Sequence, residues 1–323
     1  MRAVVITEFG GPDVLRMEDV PDPKPSSGEL LVDVAAAGVN FMDVYGRIGR
    51  APYRKDVPFV LGAEGAGTVL ELGPTVSGFA KGDRVAWIEA PGSYADKVVV
   101  RANRAVHVPD AVSLELAAAA MIQGLTAQYL TVSTYAIQPG DVVAVHAAAG
   151  GTGRLIVQFA KHLGATVVAT TSTPQKAEFA RAAGADFVVD YDEFSDEVAR
   201  VTSGVGVAVV YDGVGAATFE SSLRALRRRG YLVLFGASSG LVPPFDLARL
   251  AQLGSLFVTR PLLGAYIADD DEFAWRAREV FTAAADGWLA LEIGGTYPLG
   301  EAARAHADLE GRRTTGKLIL TTD

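Results

Sequence analysis

The feature that most constrains this chain is an apolar run that leads into a glycine-rich turn and then into a helical pattern. Residues 142–147 are almost entirely apolar, which is typical of a parallel strand buried on both faces. Gly150, Gly151 and Gly153 follow, so that no Cβ hinders a ligand from approaching the backbone. Apolar residues then recur at helical spacing. This order predicts a pyrophosphate site at a helix N-terminus, although a glycine triplet alone would also fit a tight turn.

The segment after the second strand of this region indicates which dinucleotide binds. Residues 165–171 form another strand pattern, which completes a βαβ unit. A site for NAD would place Asp or Glu at its end to bind the ribose 2′-hydroxyl, but the next acidic residue is Glu178. Ser172 and Lys176 stand there instead, and Lys176 falls in the first turn of a helix opened by Pro174, where a cation opposes the helix dipole. We therefore predict NADP(H); the alternative is a solvated surface lysine.

Composition excludes several classes of function. The chain has 323 residues, enough for two domains, and its net charge of −9 argues against broad binding to nucleic acid or anionic membranes. It has no cysteine, which excludes disulfides, thiolate metal sites and cysteine nucleophiles, and its four histidines lack metal-ligand spacing. The N-terminal segment lacks the pattern of a signal peptide, so a cytoplasmic enzyme is expected.

The distribution of strand and helix patterns predicts an α/β protein with two domains. Up to about residue 125, short strands alternate with Gly, Pro and Asp turns, which favours a twisted antiparallel barrel. From 126 to 260, strands and helices alternate six times, which predicts a doubly wound parallel sheet with ligands at the carboxyl ends of its strands. A helix is expected over Thr218–Arg229, with Arg227 to Arg229 at its C-terminal end. Residues 261–323 are expected to return to the first domain and leave a cleft between the domains.

Ordered motifs along the whole chain resemble those of one family. They are Gly38–Asp43, Leu61–Gly67, Gly82–Val85, Gly124–Thr126, His146–Gly153, Val258–Pro261 and Gly316–Leu318. The chain resembles quinone oxidoreductases of the zeta-crystallin type, a zinc-free branch of the medium-chain dehydrogenase/reductase superfamily. Zinc-dependent relatives have a histidine ligand where Ala63 stands, so a zinc mechanism is excluded. The resemblance implies a GroES-like catalytic domain, residues 1–125 and 261–323, and a Rossmann domain for NADPH, residues 126–260.

The resemblance also implies which residues form the site. Asn40 and Tyr45 are expected to face the nicotinamide, with Tyr53 near the cleft mouth; Asn40 also suits a helix N-cap, and both tyrosines could be packing aromatics. Tyr191 is expected beside the adenosine phosphate, or is a strand-end aromatic. Arg312 is expected as a second partner of the 2′-phosphate, or is a surface arginine. The expected cofactor contacts are Asn40, Thr126, Gly150, Gly151, Thr152, Gly153, Ser172, Lys176, Tyr191, Phe235, Gly236, Ser238, Phe257, Thr259, Arg260 and Arg312.

The activity expected from this resemblance is NADPH-dependent reduction of a quinone or an enone held in the cleft. We see no strong general acid in the front-half motif, so the proton is expected from solvent or Tyr45. Alkenal or enoyl-thioester reduction is an alternative, for which Arg47, Arg50, Arg54 and Lys55 could form a basic cleft mouth for a phosphorylated carrier.

The resemblance also bears on partners. The short apolar strand at residues 256–258 is expected to pair with its twin and give a homodimer, possibly a dimer of dimers. An NADPH-binding protein with little turnover, in a structural or RNA-binding role, is the alternative from a different class. The acidic net charge weighs against RNA.

Overall fold

The computed structural model describes residues 1–311 and 314–322. The chain forms two compact units. The first comprises Met1–Ile122, Asp270–Asp286 and Leu291–Asp323, and the second comprises Gln123–Asp269 and Gly287–Ala290. Residues 312 and 313, and with them the expected phosphate contact Arg312, lie outside the described residues. Among the helices that the structure describes, none is long and apolar enough to cross a membrane.

The N-terminal part of the first unit consists mainly of short strands. They are β1 (Arg2–Ile6), β2 (Arg16–Asp19), β3 (Glu29–Val39), β4 (Phe59–Val60), β5 (Gly65–Leu72), β6 (Arg84–Trp87), β7 (Lys97–Arg101) and β8 (Ala105–His107). The helices are α1 (Phe41–Arg47) and α2 (Leu114–Tyr129), of which the residues from Gln123 onward belong to the second unit, with 3-10 helices at Pro12–Val14 and Ala102–Arg104. Neighbouring strands here pair antiparallel, as the sequence predicts for this half of the chain.

The second unit alternates strands and helices. Its strands are β9 (Val142–Val145), β10 (Thr166–Thr170), β11 (Phe187–Val189), β12 (Val207–Asp212), β13 (Leu226–Leu234) and β14 (Phe257–Thr259). Its helices are α3 (Gly151–His162), α4 (Pro174–Ala182), α5 (Phe194–Val201), α6 (Phe219–Ala225), α7 (Ala248–Gln252) and α8 (Leu263–Tyr266), and a π-helical turn covers Leu130–Thr134.

The chain then returns to the first unit. Its last elements are α9 (Asp270–Ala285), β15 (Ile293–Pro298), a 3-10 helix (Leu299–Glu301), α10 (Ala302–Glu310) and β16 (Lys317–Thr321). Strand β16 pairs antiparallel with β3, where Leu318 lies opposite Val39. The sheet order is β15-β16-β3-β5-β6-β8, and β7 also pairs with β3. The last strand of the described chain, β16, therefore pairs with β3, the longest strand of the N-terminal part.

The sheet of the second unit has the doubly wound strand order. The order is β11-β10-β9-β12-β13-β14, and every pair is parallel. Strand β12 is buried along its whole length, as expected for a strand covered on both faces. In this order the direction of winding reverses between β9 and β12, and ligands of such sheets bind at the carboxyl ends next to that reversal.

One helix differs from the expectation. The helix α6 ends at Ala225, and Arg227, Arg228 and Arg229 belong to β13 rather than to the C-terminal turn of a helix. The expectation of a helix to Arg229 was therefore wrong. Arg227 forms an ion pair with Asp141 at 3.3 Å, which balances one charge of the run where the strand begins.

Candidate active site

The glycine turn lies between the end of β9 and the start of α3. Gly150 occupies the N-cap position with φ −74°, so it does not need the left-handed conformation. Gly153 needs to be glycine for another reason, because a Cβ there would overlap the carbonyl of Ala147. The turn thus allows α3 to start directly against the backbone of the preceding turn. The first N–H groups of α3 and its positive dipole end are then available for an anion.

A side chain from α2 contacts this turn. A Cβ on Gly151 would overlap the amide of Gln123, so Gln123 occupies the space that the glycine leaves. Thr126 lies three residues further along the same helix and is half-buried. Residues three apart lie on one face of a helix, so Thr126 and Gln123 share the face turned to the glycine turn. Gln123 was not among the expected site residues.

The start of α4 presents the expected 2′-phosphate residues. Thr173 is the N-cap, and its hydroxyl accepts a hydrogen bond from the N–H of Lys176 at 3.2 Å. Pro174 occupies the first turn, as predicted. Ser172 is exposed and Lys176 is half-buried. Within residues 1–311 and 314–322 the structure gives Lys176 no ion-pair partner, so its charge is available to an anionic ligand.

The loops after β12 and β13 pack closely against each other at the carboxyl edge of the sheet. Asp212 ends β12, and its carboxylate accepts hydrogen bonds from the N–H groups of Val214 and Gly215 at 2.8 and 2.9 Å. A Cβ on Gly213 would lie 2.9 Å from the ring of Phe235, and Gly236 packs against the backbone of Gly213. The structure therefore brings Phe235 and Gly236 together at the edge where a ligand of this fold binds.

The residues in and after β14 differ in their position relative to the carboxyl edge of the sheet. Thr259 lies level with Val145, the last residue of β9, through the register of the intervening strands. Arg260 donates to the carbonyls of Leu234 and Gly236 at 2.8 and 3.3 Å, so its side chain holds the loop after β13. Phe257 lies two residues before this edge and stacks on Tyr231 at 4.5 Å.

Tyr191 lies beside a buried polar group under the same edge. Its ring centre is 5.8 Å from that of His146. The ring nitrogens of His146 hydrogen-bond the hydroxyls of Thr170 and Ser222 at 2.8 and 3.0 Å. Burial lowers the pKa of His146 to about 4, in spite of the nearby Asp212, so the ring is neutral at physiological pH. His146 thus connects the end of β9 to β10 and α6 through its hydrogen bonds.

Asn40, in the first unit, belongs to a tightly packed polar cluster. It stands at the N-cap position of α1, but its side-chain oxygen accepts a hydrogen bond from Lys317 Nζ at 2.6 Å. Its side-chain nitrogen donates to Glu64 Oε1 at 2.7 Å, and Lys317 Nζ donates to the same oxygen at 2.5 Å. Lys317 and Glu64 are 2% and 0% exposed. The cluster therefore consists of a buried ion pair that bonds both atoms of one carboxamide.

A second buried network begins one turn along α1. The Asp43 carboxylate accepts hydrogen bonds from Asn40 N–H at 2.8 Å and from the Tyr94 hydroxyl at 3.1 Å. Arg47 donates to His306 Nδ1 at 3.1 Å, so the proton of this imidazole sits on Nε2, which donates to Tyr94 at 3.3 Å. Burial raises the pKa of Asp43 to about 7 and lowers that of His306 to about 3. Asp43 thus exchanges its proton near neutral pH.

Tyr53 lines a cavity of about 190 Å³, and Tyr45 packs against Tyr53 without lining the cavity itself. Their ring centres are 5.8 Å apart, and the guanidinium of Arg50 lies 4.9 Å from the Tyr45 ring centre. Asp43 and Tyr53 line the cavity. Its further lining residues are Met42, Gly46, Pro52, Arg54, Lys55, Phe59, Leu61, Gly62 and Ala63.

The structure corrects the expected basic group. Arg47 is 1% exposed and binds both carboxylate oxygens of Glu310 at 3.0 and 2.9 Å, so it cannot face a ligand. Arg54 and Lys55 are exposed and line the cavity, and Arg50 is exposed beside Tyr45.

Comparison with known proteins assigns the chain to a family. Residues 26–141 match the family model of the alcohol dehydrogenase GroES-like domain, and residues 151–277 match that of the zinc-binding dehydrogenases. The chain is 42% identical to a quinone oxidoreductase of Pseudomonas aeruginosa, over 99% of both chains. It belongs to the quinone oxidoreductases of the medium-chain dehydrogenase/reductase superfamily.

Two further relatives bear on cofactor and substrate. An Escherichia coli quinone oxidoreductase, solved in complex with NADPH, is 40% identical and superimposes with a TM-score of 0.95, covering 99% of this chain and 100% of that one. A 2-haloacrylate reductase of Burkholderia sp is 40% identical over 98% of both chains. The family resemblance, the α/β fold and the GroES-like plus Rossmann architecture expected from the sequence are confirmed. This member of the quinone oxidoreductases has no cysteine, although one of the matching models is described as zinc-binding.

Sequence reasoning missed most of the buried polar residues around α1 in this quinone oxidoreductase family member. Glu64 and Lys317 both lie within motifs that carried the resemblance, yet neither was given a role. The expectation of no strong general acid in the front-half motif overlooked Asp43, which stands in that motif and lines the cavity. A charged residue at a position that otherwise follows an apolar strand pattern was the available indication, since charged side chains are rarely fully buried unless paired.

Proposed function

We propose that the protein is an NADPH-dependent reductase of quinones or related conjugated carbonyls. The proposal rests on the combination of a glycine turn at the start of α3 with a cation, Lys176, at the start of α4. The first fits a pyrophosphate and the second fits a 2′-phosphate. Both elements follow neighbouring strands of a parallel sheet with the doubly wound order. The relatives named above support both cofactor and reaction type.

The residues fit NADPH better than NADH. Gly150 to Gly153 would hold the pyrophosphate with backbone N–H groups, while Ser172 and Lys176 would hold the 2′-phosphate. Tyr191 would lie beside the adenosine end, and Thr126, Phe235, Gly236, Ser238 and Thr259 along the nicotinamide side. Arg260 would act by fixing the loop after β13, and Phe257 lies at the start of β14, two residues before Thr259. When bound, NADPH supplies the hydride.

The chain's own task is then to orient the acceptor and to handle its proton. We propose that Asn40 and Tyr45 face the reacting end of the cofactor and that Tyr53 borders the acceptor. Tyr45 or solvent would provide the proton. Asp43 joins the candidate donors, because it lines the cavity and its pKa of about 7 leaves much of it protonated in neutral solution.

A second class of acceptor, conjugated carboxylates, is favoured by one observation. Arg54 and Lys55 line the cavity beside Tyr53, and their charge would attract an anionic acceptor. The relative that is named a 2-haloacrylate reductase is consistent with this alternative. Comparing 1,4-naphthoquinone with its 2-sulfonate and with 2-chloroacrylate, in the wild type and in Arg54→Ala/Lys55→Ala, separates the two. If the double variant loses rate with the anionic acceptors alone, Arg54 and Lys55 are the residues that bind those acceptors.

Cofactor choice gives the first testable prediction. In Lys176→Ala we expect the NADPH dissociation constant to rise at least about tenfold, which is ~1.4 kcal/mol, because one charge-assisted bond to the 2′-phosphate is lost. NADH affinity should not change. Titration of nucleotide fluorescence measures both, and Lys81→Ala, which removes an exposed lysine of the first unit, is the control.

Turnover completes this test. Oxidation of NADPH with 1,4-benzoquinone and 9,10-phenanthrenequinone should be saturable in the wild type. If NADPH binds without turnover of any quinone or conjugated carboxylate, the assignment of the reaction is wrong. Equal affinity for NADH and NADPH in wild type and variant would refute the 2′-phosphate argument.

We also propose that the protein forms a homodimer through β14. This strand ends the sheet of the second unit, and its Phe257 is 48% exposed. An uncovered edge that carries apolar side chains favours pairing with another strand.

A further inference from the structure

We propose that Lys317 and Glu64 are positioning residues that lock the carboxamide of Asn40 in one orientation. The inference rests on the proposed function, in which Asn40 faces the reacting end of the cofactor. It goes beyond that function by assigning to a buried ion pair a role in the reaction that neither charge performs by direct contact.

The first step is the hydrogen-bonding character of the two partners. Lys317 offers only donors and Glu64, when ionised, offers only acceptors. Asn40 Oδ1 lies 2.6 Å from Lys317 Nζ, and Asn40 Nδ2 lies 2.7 Å from Glu64 Oε1. A rotation of the amide by 180° would place nitrogen against nitrogen and oxygen against oxygen. Both charge-assisted hydrogen bonds would be lost, so only one orientation of the amide is stable.

The second step is that the ion pair is itself held rigidly. Glu64 Oε2 accepts the backbone N–H of Ile122 at 2.6 Å, while Oε1 takes Lys317 and Asn40. Gly38 has no room for a Cβ, because the Glu64 carboxylate occupies that space. Neither Lys317 nor Glu64 can move without breaking hydrogen bonds, and both side chains are buried. Asn40 Nδ2 also lies 3.5 Å from the carbonyl oxygen of Gly38, so Asn40 keeps one lone pair of its side-chain oxygen, in a fixed direction, for a ligand.

The third step concerns energy. Two buried charges lose their hydration, and their attraction often only offsets that loss, so a buried ion pair is weak evidence for stability. If the two charges do not serve stability, they serve another group that both of them contact. Asn40 is that group, because it bonds both partners and is itself 8% exposed.

The sequence allows a direct test of the amide itself. Asn40 and Asn103 are the two asparagines of the chain, so selective 15N-asparagine labelling yields two side-chain amide signals. Asn103 is exposed and donates to Asp270, which makes it an internal reference. In the wild type without cofactor we expect the Asn40 NH₂ protons to exchange with water at least about a hundredfold more slowly than those of Asn103. The variant Asn40→Ala assigns the signal.

The informative variant is Glu64→Gln/Lys317→Met, which removes both charges and leaves none unpaired. In this double variant we expect the Asn40 NH₂ protons to exchange with water at least about tenfold faster than in the wild type. The melting temperature should stay within a few degrees of the wild type. The single variant Lys317→Arg keeps the positive charge, so its Asn40 NH₂ protons should exchange more slowly than those of the double variant. Gly38→Ala keeps both charges but displaces Glu64, so it should also accelerate exchange. Gly264→Ala, where a Cβ meets open space, is its matched control.

Kinetics connects the amide to the reaction. In the double variant we expect kcat for quinone reduction to fall about tenfold or more, with a smaller change in KM. In an Asn40→Ala background the same two substitutions should have little further effect, because residues that act through one group are not additive. Unchanged Asn40 exchange in the double variant, or full additivity with Asn40→Ala, would overturn the inference. If the wild type reduces no acceptor at all, the proposed function fails while the exchange result still decides whether the amide is locked.

Discussion

At the scale of single residues, Asp43 is enclosed by groups with opposing effects on its proton. Burial is the largest effect and raises its pKa, and the charge of Glu64 acts in the same direction. The N–H of Asn40, the charge of Lys317 and the hydroxyl of Tyr94 lower it. Burial wins, so the pKa lies at about 7 instead of 3.8. A carboxyl that titrates there can change its charge under physiological conditions.

This pKa predicts how stability depends on pH. Between about pH 4 and pH 7 the folded state keeps a proton on Asp43 that the unfolded chain has already released. The free energy of unfolding therefore falls as pH rises through this window and levels off above it. In Asp43→Asn this contribution is absent, so the melting temperature of the wild type relative to this variant should decline from pH 5 to pH 8.

Thermal unfolding at matched ionic strength checks this dependence. The control is Asp33→Asn, an exposed carboxylate on β3, for which the difference from the wild type should stay constant. A constant difference for Asp43→Asn as well would show that Asp43 is ionised throughout the range.

At the scale of elements, the glycine turn and the start of α3 show how close packing decides a residue. At Gly153 an alanine would gain up to about 1 kcal/mol in helix propensity, but its Cβ would overlap the carbonyl of Ala147. Overpacking of this kind costs about 1–3 kcal/mol. We expect Gly153→Ala to lower stability by ~1–2 kcal/mol and to weaken NADPH binding.

Gly150→Ala is the matched comparison. Its Cβ would lie 3.2 Å from the Ala147 carbonyl, a tight contact that a small shift relieves. Urea unfolding and nucleotide titration of both variants should therefore separate them clearly. Equal losses of stability and of NADPH affinity in the two variants would mean that backbone flexibility, and not contact with Ala147, explains the glycines.

Local sequence predicted the elements that obey a single rule. The apolar run, glycines and helical spacing around residue 150 predicted β9 and α3, and Pro174 predicted the start of α4. The start of β13 was missed because Arg227 to Arg229 lack a strand pattern. They lie between two pairs that join β13 to β12, Leu226 with Val207 and Tyr231 with Val209, so contacts on either side of them extend the strand. The contact of Lys317 with Glu64 spans 253 residues, so no local pattern contains it. The positions of the expected cofactor contacts relative to a bound nucleotide remain predictions.

At the scale of the whole molecule, the position of β14 at the edge of the sheet of the second unit predicts the oligomeric state. We expect the wild type to elute as a dimer in size-exclusion chromatography with light scattering at micromolar concentration. Phe257→Lys should shift it toward monomer, because a charge on an edge strand opposes pairing. Val205→Lys alters a residue that is 67% exposed but outside β14, and should leave the dimer intact. A monomeric wild type would contradict the edge-strand proposal.

The division of the chain has a consequence for its synthesis on the ribosome. The second unit is almost continuous, from Gln123 to Asp269, so it can begin to fold while the rest of the chain is still being made. The first unit is translated first yet has to wait, because β16 supplies the partner of β3 and the cation for Glu64. Until residue 317 emerges, a nascent chain holds the acidic half of the Asn40 cluster without its base. The part of the protein that is translated first is therefore the part that is completed last.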